Sequence, residues 1–415
     1  MFLKKNNLSI LNEGYDQYPA IDFGLGSKIY INKKKYIDLS FCSGVMLLGH
    51  QSNVFRNAFK NIVKKKISIF GSPNTYAIKF SRTLKKVIPN YSKYIFTSSG
   101  SEAIYKSIRI CKALTKKNLI IACSGSWHGS SDKLLFGANK NLNPVYLSAG
   151  ISKFDKNNVK FIPYNNISKS KKILEKFKNK IKCIIVEPIQ GSLPVEQGVK
   201  EFLKFLENFS KKNNIILLFD EMITGLRING LSAQKYFNIK PDISVFGKCF
   251  GGGMPIGIIA LNNKIYKKIK KNKSRIFFGG TFSANSISTY IGKLTTDYIV
   301  SNRKKIFKLI NNKSKFFVDN LNKFIKENKI NCRVYNFKSM IRIIFSKEKI
   351  NSRYERDFLE KKKSISITKF KEFLFKNKIY YPSNGLIFIS YKTSKSDIKY
   401  ILKYTKIGLL KYFNK

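Results

Sequence analysis

The sequence predicts an α/β fold in which helices flank a mainly parallel β-sheet. Two observations support this. Short apolar runs rich in β-branched residues recur through the middle of the chain, and amphipathic helical patterns lie between several of them. Strands that alternate with helices favour parallel pairing, because each helix returns the chain to the same edge of the sheet. The predicted strands are residues 93–98, 118–124, 159–164, 182–188, 214–221, 242–248 and 256–262.

The helical pattern is clearest in residues 101–115, where small and apolar side chains fall on one face of a helix. The residues on this face are Ala103, Ile104, Ser107, Ile108 and Cys111. The same periodicity predicts further helices over residues 199–212 and 285–311.

The pattern changes near residue 312, where shorter strands and helices begin to alternate. Near the other end of the chain, "GSKIYINKKKYIDLS" predicts an extended hairpin. We therefore expect a large α/β domain over residues 51–311. We expect a smaller α+β domain to be formed by residues 312–415, joined by the N-terminal segment 1–50.

The net charge is extreme, since 79 Lys and Arg residues face only 24 Asp and Glu residues, giving +55. Such a charge attracts polyanions nonspecifically at low salt. The lysines are spread along the chain among Asn, Ile and Phe, however, and no zinc-finger, helix-turn-helix or RNA-recognition signature is present. The composition therefore indicates no specific nucleic-acid partner.

The apolar runs are short, with about five residues in "IILLF", whereas a membrane-spanning helix needs about 20. The N-terminus lacks the continuous apolar core of a secretory signal, so we expect no membrane association and a cytoplasmic location. The six cysteines form no CxxC pair and there are only two histidines. We therefore predict no metal site.

The first candidate site segment is "TSSGSEAIYKSIRI" (97–110), which combines a strand end, a turn of small residues and a helix start. Gly100 permits close approach of the backbone, Ser101 offers a hydroxyl, and the helix presents unpaired N–H groups. Together these groups suit a phosphate. Taken alone, the segment favours an ordinary helix N-cap with Glu102 in the first turn over a phosphate site.

Two further candidates lie at the ends of very apolar strands. Asp220 ends "ILLFD", where an unpaired carboxylate would be costly to desolvate and a protonated ring nitrogen would compensate it. Lys248 follows "SVFG" and precedes three glycines, and a desolvated lysine retains neutral amine that attacks carbonyls. The alternatives are a helix cap or salt bridge for Asp220 and an ordinary surface position for Lys248.

The remaining candidate is "GSWHGSSD" (125–132), which contains the only tryptophan, Trp127. This indole suits either the core or stacking on a planar ligand, and taken alone it favours the core. In order along the chain, the candidates supply a phosphate turn, a ring platform, a carboxylate and an amine. These are the groups needed to hold pyridoxal phosphate as a Schiff base with its ring nitrogen partnered.

From about residue 20 to the C-terminus, the chain resembles the class III aminotransferases, which are fold-type I pyridoxal-phosphate enzymes. It is most similar to their glutamate-1-semialdehyde 2,1-aminomutase branch. Six segments carry this resemblance in the family's order: "SSGSEA", "WHG", "VEPIQG", "FDEMITGLR", "GKCFGGGMPIG" and "GGTFSAN".

The resemblance implies a role for each candidate. Lys248 would be the Schiff-base lysine and Asp220 the partner of the pyridine nitrogen, while Trp127 and Met222 would pack on opposite faces of the ring. The resemblance also implies a phosphate site, to which Thr281 would reach from a second subunit of a homodimer. In this chain its other members would be Gly100 and Ser101.

The expected function is a pyridoxal-phosphate-dependent aminotransferase that moves an amino group from a donor to an aldehyde or ketone. The alternative is an intramolecular aminomutase, and a basic nucleic-acid-binding protein without catalysis is the outsider. Ser43 stands where the aminomutases usually have an aromatic residue, and Ser192 where many ω-aminotransferases have glutamate. Arg227 and Lys392 are possible receptors for a substrate carboxylate, with a surface position favoured for both.

Overall fold

The protein is described by a computed structural model that covers residues 19–350 and 352–414. The strands are β1 (Phe23–Leu25), β2 (Lys28–Ile31), β3 (Lys34–Asp38), β4 (Lys93–Thr97), β5 (Leu119–Cys123), β6 (Phe136–Ala138), β7 (Pro144–Tyr146), β8 (Val159–Ile162), β9 (Ile181–Val186), β10 (Ile216–Asp220), β11 (Ile243–Gly247), β12 (Gly257–Leu261), β13 (Arg333–Phe337), β14 (Met340–Ile344), β15 (Ile379–Tyr380) and β16 (Leu386–Phe388). The helices are α1 (Phe41–Gly44), α2 (Asn53–Lys64), α3 (Thr75–Val87), α4 (Gly100–Thr115), α5 (Lys153–Asn157), α6 (Ile167–Phe177), α7 (Val199–Lys212), α8 (Ala233–Phe237), α9 (Asn263–Lys271), α10 (Ser286–Ser301), α11 (Arg303–Glu327), α12 (Arg353–Lys361), α13 (Ser364–Lys376) and α14 (Lys395–Phe413).

The described chain divides into two compact units, and the larger one contains residues 54–304 together with residue 350 and residues 352–355. Its main sheet has the strand order β4-β12-β11-β10-β9-β5-β8. Strand β12 runs antiparallel to both of its neighbours, and the other pairs in the sheet are parallel. The predicted mainly parallel α/β sheet is therefore confirmed, and each of the seven predicted strands lies in it.

The centre of this sheet is buried on both faces. Every residue of β9, β10, β11 and β12 is buried. Helix α4 packs on β9, β11 and β12, and α7 packs on β10. Strands covered on both sides need apolar side chains at successive positions, which explains the uninterrupted apolar runs in the sequence.

The helix predicted over residues 285–311 is wrong as a single element, because the chain forms α10 and α11 instead. The break falls at Asn302, where φ is −104° and ψ is 13°. The Asn302 side chain donates a hydrogen bond to the Tyr298 carbonyl at 2.9 Å, and its backbone N–H caps the same turn. Asn side chains compete in this way with helix continuation, so a single residue ends α10.

The second unit contains the described residues up to Asn53, residues 305–349 and the described residues from Arg356 onward. Its two sheets have the orders β1-β2-β3-β15 and β13-β14-β16. The predicted hairpin is present as β2 and β3, and its turn residues Asn32 and Lys33 have φ of 48° and 62°. Two successive left-handed residues define the turn that matches strand twist in a tight hairpin.

Strand β15 joins this unit's first sheet by pairing in parallel with β3, so a late segment of the chain completes an early sheet. The core of the unit draws on α11, α13 and α14 as well as the strands, with members such as Phe317, Ile343, Phe370 and Leu409. Among the described residues, no helix has the length and apolar character required to cross a bilayer. The same residues contain no cluster of His, Cys, Asp and Glu that could hold a metal ion.

Candidate active site

The candidate residues lie at one edge of the seven-stranded sheet. Asp220 is the last residue of β10, Lys248 directly follows β11, and α4 begins at Gly100 shortly after β4. Strands β4, β10 and β11 run in the same direction, so their carboxyl ends meet at this edge. Ligands of open α/β sheets bind at such an edge.

The carboxylate of Asp220 is buried, with a side chain only 3% exposed. Its Oδ2 lies 2.8 Å from Nδ1 of His128, and its Oδ1 accepts a hydrogen bond from the Met222 N–H at 3.0 Å. His128 is buried too, and its Nε2 has no hydrogen-bond partner within the described part of the chain. A buried carboxylate needs such donors, because it has lost its hydration.

The pairing of His128 with Asp220 was missed in the sequence, which showed the histidine only as a neighbour of Trp127. The two side chains are 92 residues apart in the chain. The useful signal was indirect, since only two histidines are present and one precedes a glycine in a turn after a buried strand.

Lys248 occupies a strained backbone position, because it follows the extended Gly247 and is the first residue of a short 3₁₀ turn (Lys248–Gly251). Its φ of 44° lies in the left-handed region, which is unfavourable for a residue with a side chain. Burial lowers the pKa of the Lys248 amine, and the nearby Asp220 and Glu187 carboxylates offset this only in part. A larger fraction of the amine is therefore neutral than for a lysine in water.

Glu187 is a further member of the site that the sequence analysis did not select. It follows β9, is buried, and accepts hydrogen bonds from the N–H groups of Trp127 at 2.7 Å and Gly191 at 3.2 Å. Burial raises the pKa of Glu187 to about 7, against a lowering influence of His128. The signal that could have found it is an acidic residue directly after an apolar strand, the pattern that selected Asp220.

Trp127 precedes His128 in the chain, and Met222 follows Asp220 by two residues. The Trp127 side chain is 52% exposed, so the alternative of a core tryptophan is wrong. A Cβ atom on Gly100 or Gly247 would lie 2.7 or 2.8 Å from the Met222 sulfur. Met222 therefore lies between the start of α4 and the residue before Lys248, and Gly247 is further restricted because its Cβ would lie 2.8 Å from the Ile256 carbonyl oxygen.

The turn before α4 is organised by a reciprocal cap. The Ser99 hydroxyl accepts the Glu102 N–H at 3.1 Å, and the Glu102 carboxylate accepts the Ser98 N–H at 2.7 Å. Gly100 and Ser101 therefore begin a capped helix, and the Ser101 hydroxyl accepts the Ser130 N–H at 3.2 Å. The N-cap interpretation is thus correct for Ser99, and it leaves the first turn available to an anion.

Thr281 lies in a different setting from the other candidates. It is exposed, and its turn follows a segment that packs against α4. A Cβ atom on the preceding Gly280 would lie 3.2 Å from a Glu102 carboxylate oxygen.

The surface position favoured for Arg227 is wrong, since this residue is only 1% exposed. Its Nη2 donates to the Cys249 sulfur at 3.4 Å, next to Lys248 in the chain. Burial lowers the pKa of the Arg227 guanidinium. Lys392 is exposed, as expected, and belongs to the other unit.

Glu221 fixes the turn that follows Asp220. Its buried carboxylate accepts hydrogen bonds from the Thr224 hydroxyl at 2.9 Å and from the N–H groups of Ala233 at 2.6 Å and Gln234 at 3.1 Å. A carboxylate with several donors holds its loop rigidly, so the backbone around Asp220 is preorganised.

The sheet order with its single antiparallel strand and the lysine and aspartate at its carboxyl edge define a fold-type I pyridoxal-phosphate transferase. The chain belongs to the aminotransferase class-III family, and the match to this family covers residues 17–368. It is a pyridoxal-phosphate-dependent transaminase or aminomutase.

One relative supports this membership, and two solved structures share the fold. A glutamate-1-semialdehyde 2,1-aminomutase from Wigglesworthia glossinidia brevipalpis is 35% identical over 356 residues, which cover 84% of this chain and 79% of the relative. An omega-transaminase from Sphaerobacter thermophilus has a TM-score of 0.85 at 19% identity, covering 94% of this chain and 90% of that one. A glutamate-1-semialdehyde-aminomutase from Pseudomonas aeruginosa PAO1, solved in complex with PMP, has a TM-score of 0.84 at 14% identity, covering 96% and 89%.

Proposed function

We propose that this protein is an aminotransferase that moves an amino group from a donor to an aldehyde or ketone, with pyridoxal phosphate bound covalently to Lys248. One observation carries the proposal. An amine whose pKa is lowered by burial lies at the same sheet edge as the buried pair Asp220 and His128.

The donors and acceptors at this edge fit the cofactor. Lys248 supplies an amine for the aldehyde, and the first turn of α4 supplies N–H groups for a phosphate. The Asp220 carboxylate is desolvated, so a protonated ring nitrogen beside it would gain a strong, charge-assisted partner. The proposed phosphate residues are Gly100 and Ser101.

The cofactor, when bound, supplies an aldehyde for covalent attachment of amines and a ring that accepts electrons from the substrate carbon. Asp220 holds the proton on the ring nitrogen, and His128 fixes the orientation of its carboxylate. The amine of Lys248 would move a proton to and from the substrate carbon. Trp127 and Met222 would hold the ring in place.

A homodimer belongs to the proposal, with Thr281 of each chain completing the phosphate site of the other. We also assign cofactor binding to the large domain (51–311), with residues 1–50 and 312–415 forming the small domain. The first 18 residues of that assignment lie outside the described residues. The cytoplasmic location remains a prediction.

The second candidate is glutamate-1-semialdehyde 2,1-aminomutase activity, which is favoured by the curated relatives of that name. The two activities differ in their need for a second substrate. Incubation of the purified holoenzyme with the semialdehyde alone would give 5-aminolevulinate only for the aminomutase. The residues at 43 and 192, which are serine here, favour two separate substrates.

Lys248→Ala tests the central assignment. We expect the variant to fold but to lose the yellow, borohydride-reducible cofactor, because no amine remains to bind the aldehyde. Lys112→Ala is the control, since Lys112 is exposed on α4. A yellow, borohydride-reducible Lys248→Ala protein would show that another lysine binds the cofactor.

A further inference from the structure

The segment before Thr281 is attached to α4 through its carbonyl groups. Nζ of Lys106 donates hydrogen bonds to the carbonyls of Phe278 and Gly279, both at 2.8 Å. Nη1 of Arg109, one helical turn further on, donates to the Phe277 carbonyl at 2.9 Å. Three successive carbonyls of this segment are therefore held by two cations on one face of α4.

Lys106 differs from most lysines of this chain because it is only 4% exposed. Its Nζ also lies 2.5 Å from the Glu102 carboxylate, so all three N–H groups of the ammonium have acceptors. The other Glu102 oxygen accepts the Ser98 N–H. A buried ammonium with three fixed acceptors allows little movement of the groups it joins.

The segment is anchored again after Thr281. The Asn74 side chain donates to the Ala284 carbonyl at 2.9 Å, while its oxygen caps α3. Between the two anchors, Thr281 and Phe282 are exposed, and the Ser283 N–H closes a turn onto the Gly280 carbonyl. The turn is thus presented outward from a fixed base.

We propose that Lys106 is a positioning residue, which holds segment 277–281 against α4 so that Thr281 meets the phosphate site of the neighbouring subunit. The inference rests on the proposed function, which gives Thr281 that role. The Lys106–Glu102 pair lies in the first turns of the helix that begins with Gly100 and Ser101. It therefore links each chain's own phosphate turn to the loop that serves the other chain.

The first test is Lys106→Met, which keeps an unbranched apolar chain as far as Cε and removes the terminal ammonium with its three donors. In the cofactor-free protein we expect faster amide hydrogen exchange in residues 277–285. We expect the cofactor dissociation constant, from absorbance titration, to rise about tenfold or more. Lys112→Met, an exposed change on the same helix, should alter neither quantity. Unchanged exchange in Lys106→Met would overturn the inference.

Mixed dimers separate positioning across the interface from general destabilisation. In the first, one chain carries Lys106→Met and its partner carries Lys248→Ala. The only Lys248 present is then on the chain with Lys106→Met, and its phosphate site receives Thr281 from the chain with intact Lys106. The cofactor affinity of that site should therefore equal that of wild type. In the second, both substitutions are on one chain and the partner is wild type. The only Lys248 present is then on the wild-type chain, and its phosphate site receives Thr281 from the chain that lacks Lys106. Its cofactor affinity should therefore fall as in the Lys106→Met homodimer.

The two arrangements contain the same substitutions, so lower stability alone would affect both equally. Equal affinities, or weaker binding only in the first arrangement, would overturn the inference. A monomeric holoenzyme would also overturn it, while leaving the role of Lys248 intact. If wild type binds no cofactor, the proposed function fails, and the exchange measurement still shows whether Lys106 holds the segment.

Discussion

Glu187 gives this protein a pH-dependent stability that the structure makes quantitative. The side chain is buried, and its pKa is raised from 4.5 to about 7, chiefly by burial. The folded chain therefore keeps a proton on this carboxyl over a pH range in which the unfolded chain has lost it. The resulting stabilisation is fully present below pH 4.5 and is lost as the pH rises through about 7.

The magnitude follows from the two pKa values. At 1.36 kcal/mol for each pKa unit, the change from 4.5 to about 7 corresponds to about 3 kcal/mol in the free energy of unfolding. Glu187→Gln removes this ionisation while keeping an oxygen that accepts the Trp127 N–H. The free energy of unfolding of the variant, relative to that of wild type, should therefore be about 3 kcal/mol higher at about pH 8 than at about pH 4.5.

The assay is urea unfolding of the cofactor-free wild type and variant at both pH values, followed by circular dichroism. Comparison of the two proteins cancels the carboxyl groups that they share. Glu201→Gln, at an exposed position of α7, should show the same difference from wild type at both pH values. If the difference in free energy of unfolding between Glu187→Gln and wild type changes by less than about 1 kcal/mol between the two pH values, the Glu187 carboxyl is not held protonated by burial.

Two further predictions concern the carboxylate and the sheet. Asp220→Asn should keep the cofactor but lose turnover by about 100-fold, because an amide does not hold a proton on the ring nitrogen. Steady-state kinetics and an assay of bound cofactor would measure this, and undiminished turnover would contradict the assigned role. Gly257→Ala should lower the free energy of unfolding by more than about 4 kcal/mol, since its Cβ would lie within 3.0 Å of the Ser99 carbonyl and the Thr97 hydroxyl. A denaturation midpoint equal to that of wild type would show that the chain around β12 is not packed this closely.

The strands of the large sheet could be predicted because their physical requirement is local. Burial on both faces demands apolar residues at successive positions, and that demand is visible in runs such as "IILLF". The end of α10 could not be predicted in the same way. Apolar periodicity continues on both sides of Asn302, and the break depends on the conformation of that one residue.

The site was predictable where a polar residue ends an apolar strand, as at Asp220 and Lys248. Glu187 carries the same signal within "VEPIQG", but the resemblance carried by that segment assigned no role to this glutamate. The partnership of His128 with Asp220 depends on the fold, which brings two distant turns together. Lys106 was hidden among 79 basic residues, because its burial is a property of the folded chain.

The pairing of β15 with β3 has a consequence for synthesis on the ribosome. Ile37 of β3 pairs with Ile379 of β15, so this edge of β3 cannot pair until nearly the whole polypeptide has been synthesised. At about 5–20 residues per second, this delay lasts roughly 20–70 s. Until β15 arrives, the edge of β3 lacks its final hydrogen-bond partner, and an open strand edge can pair with other chains.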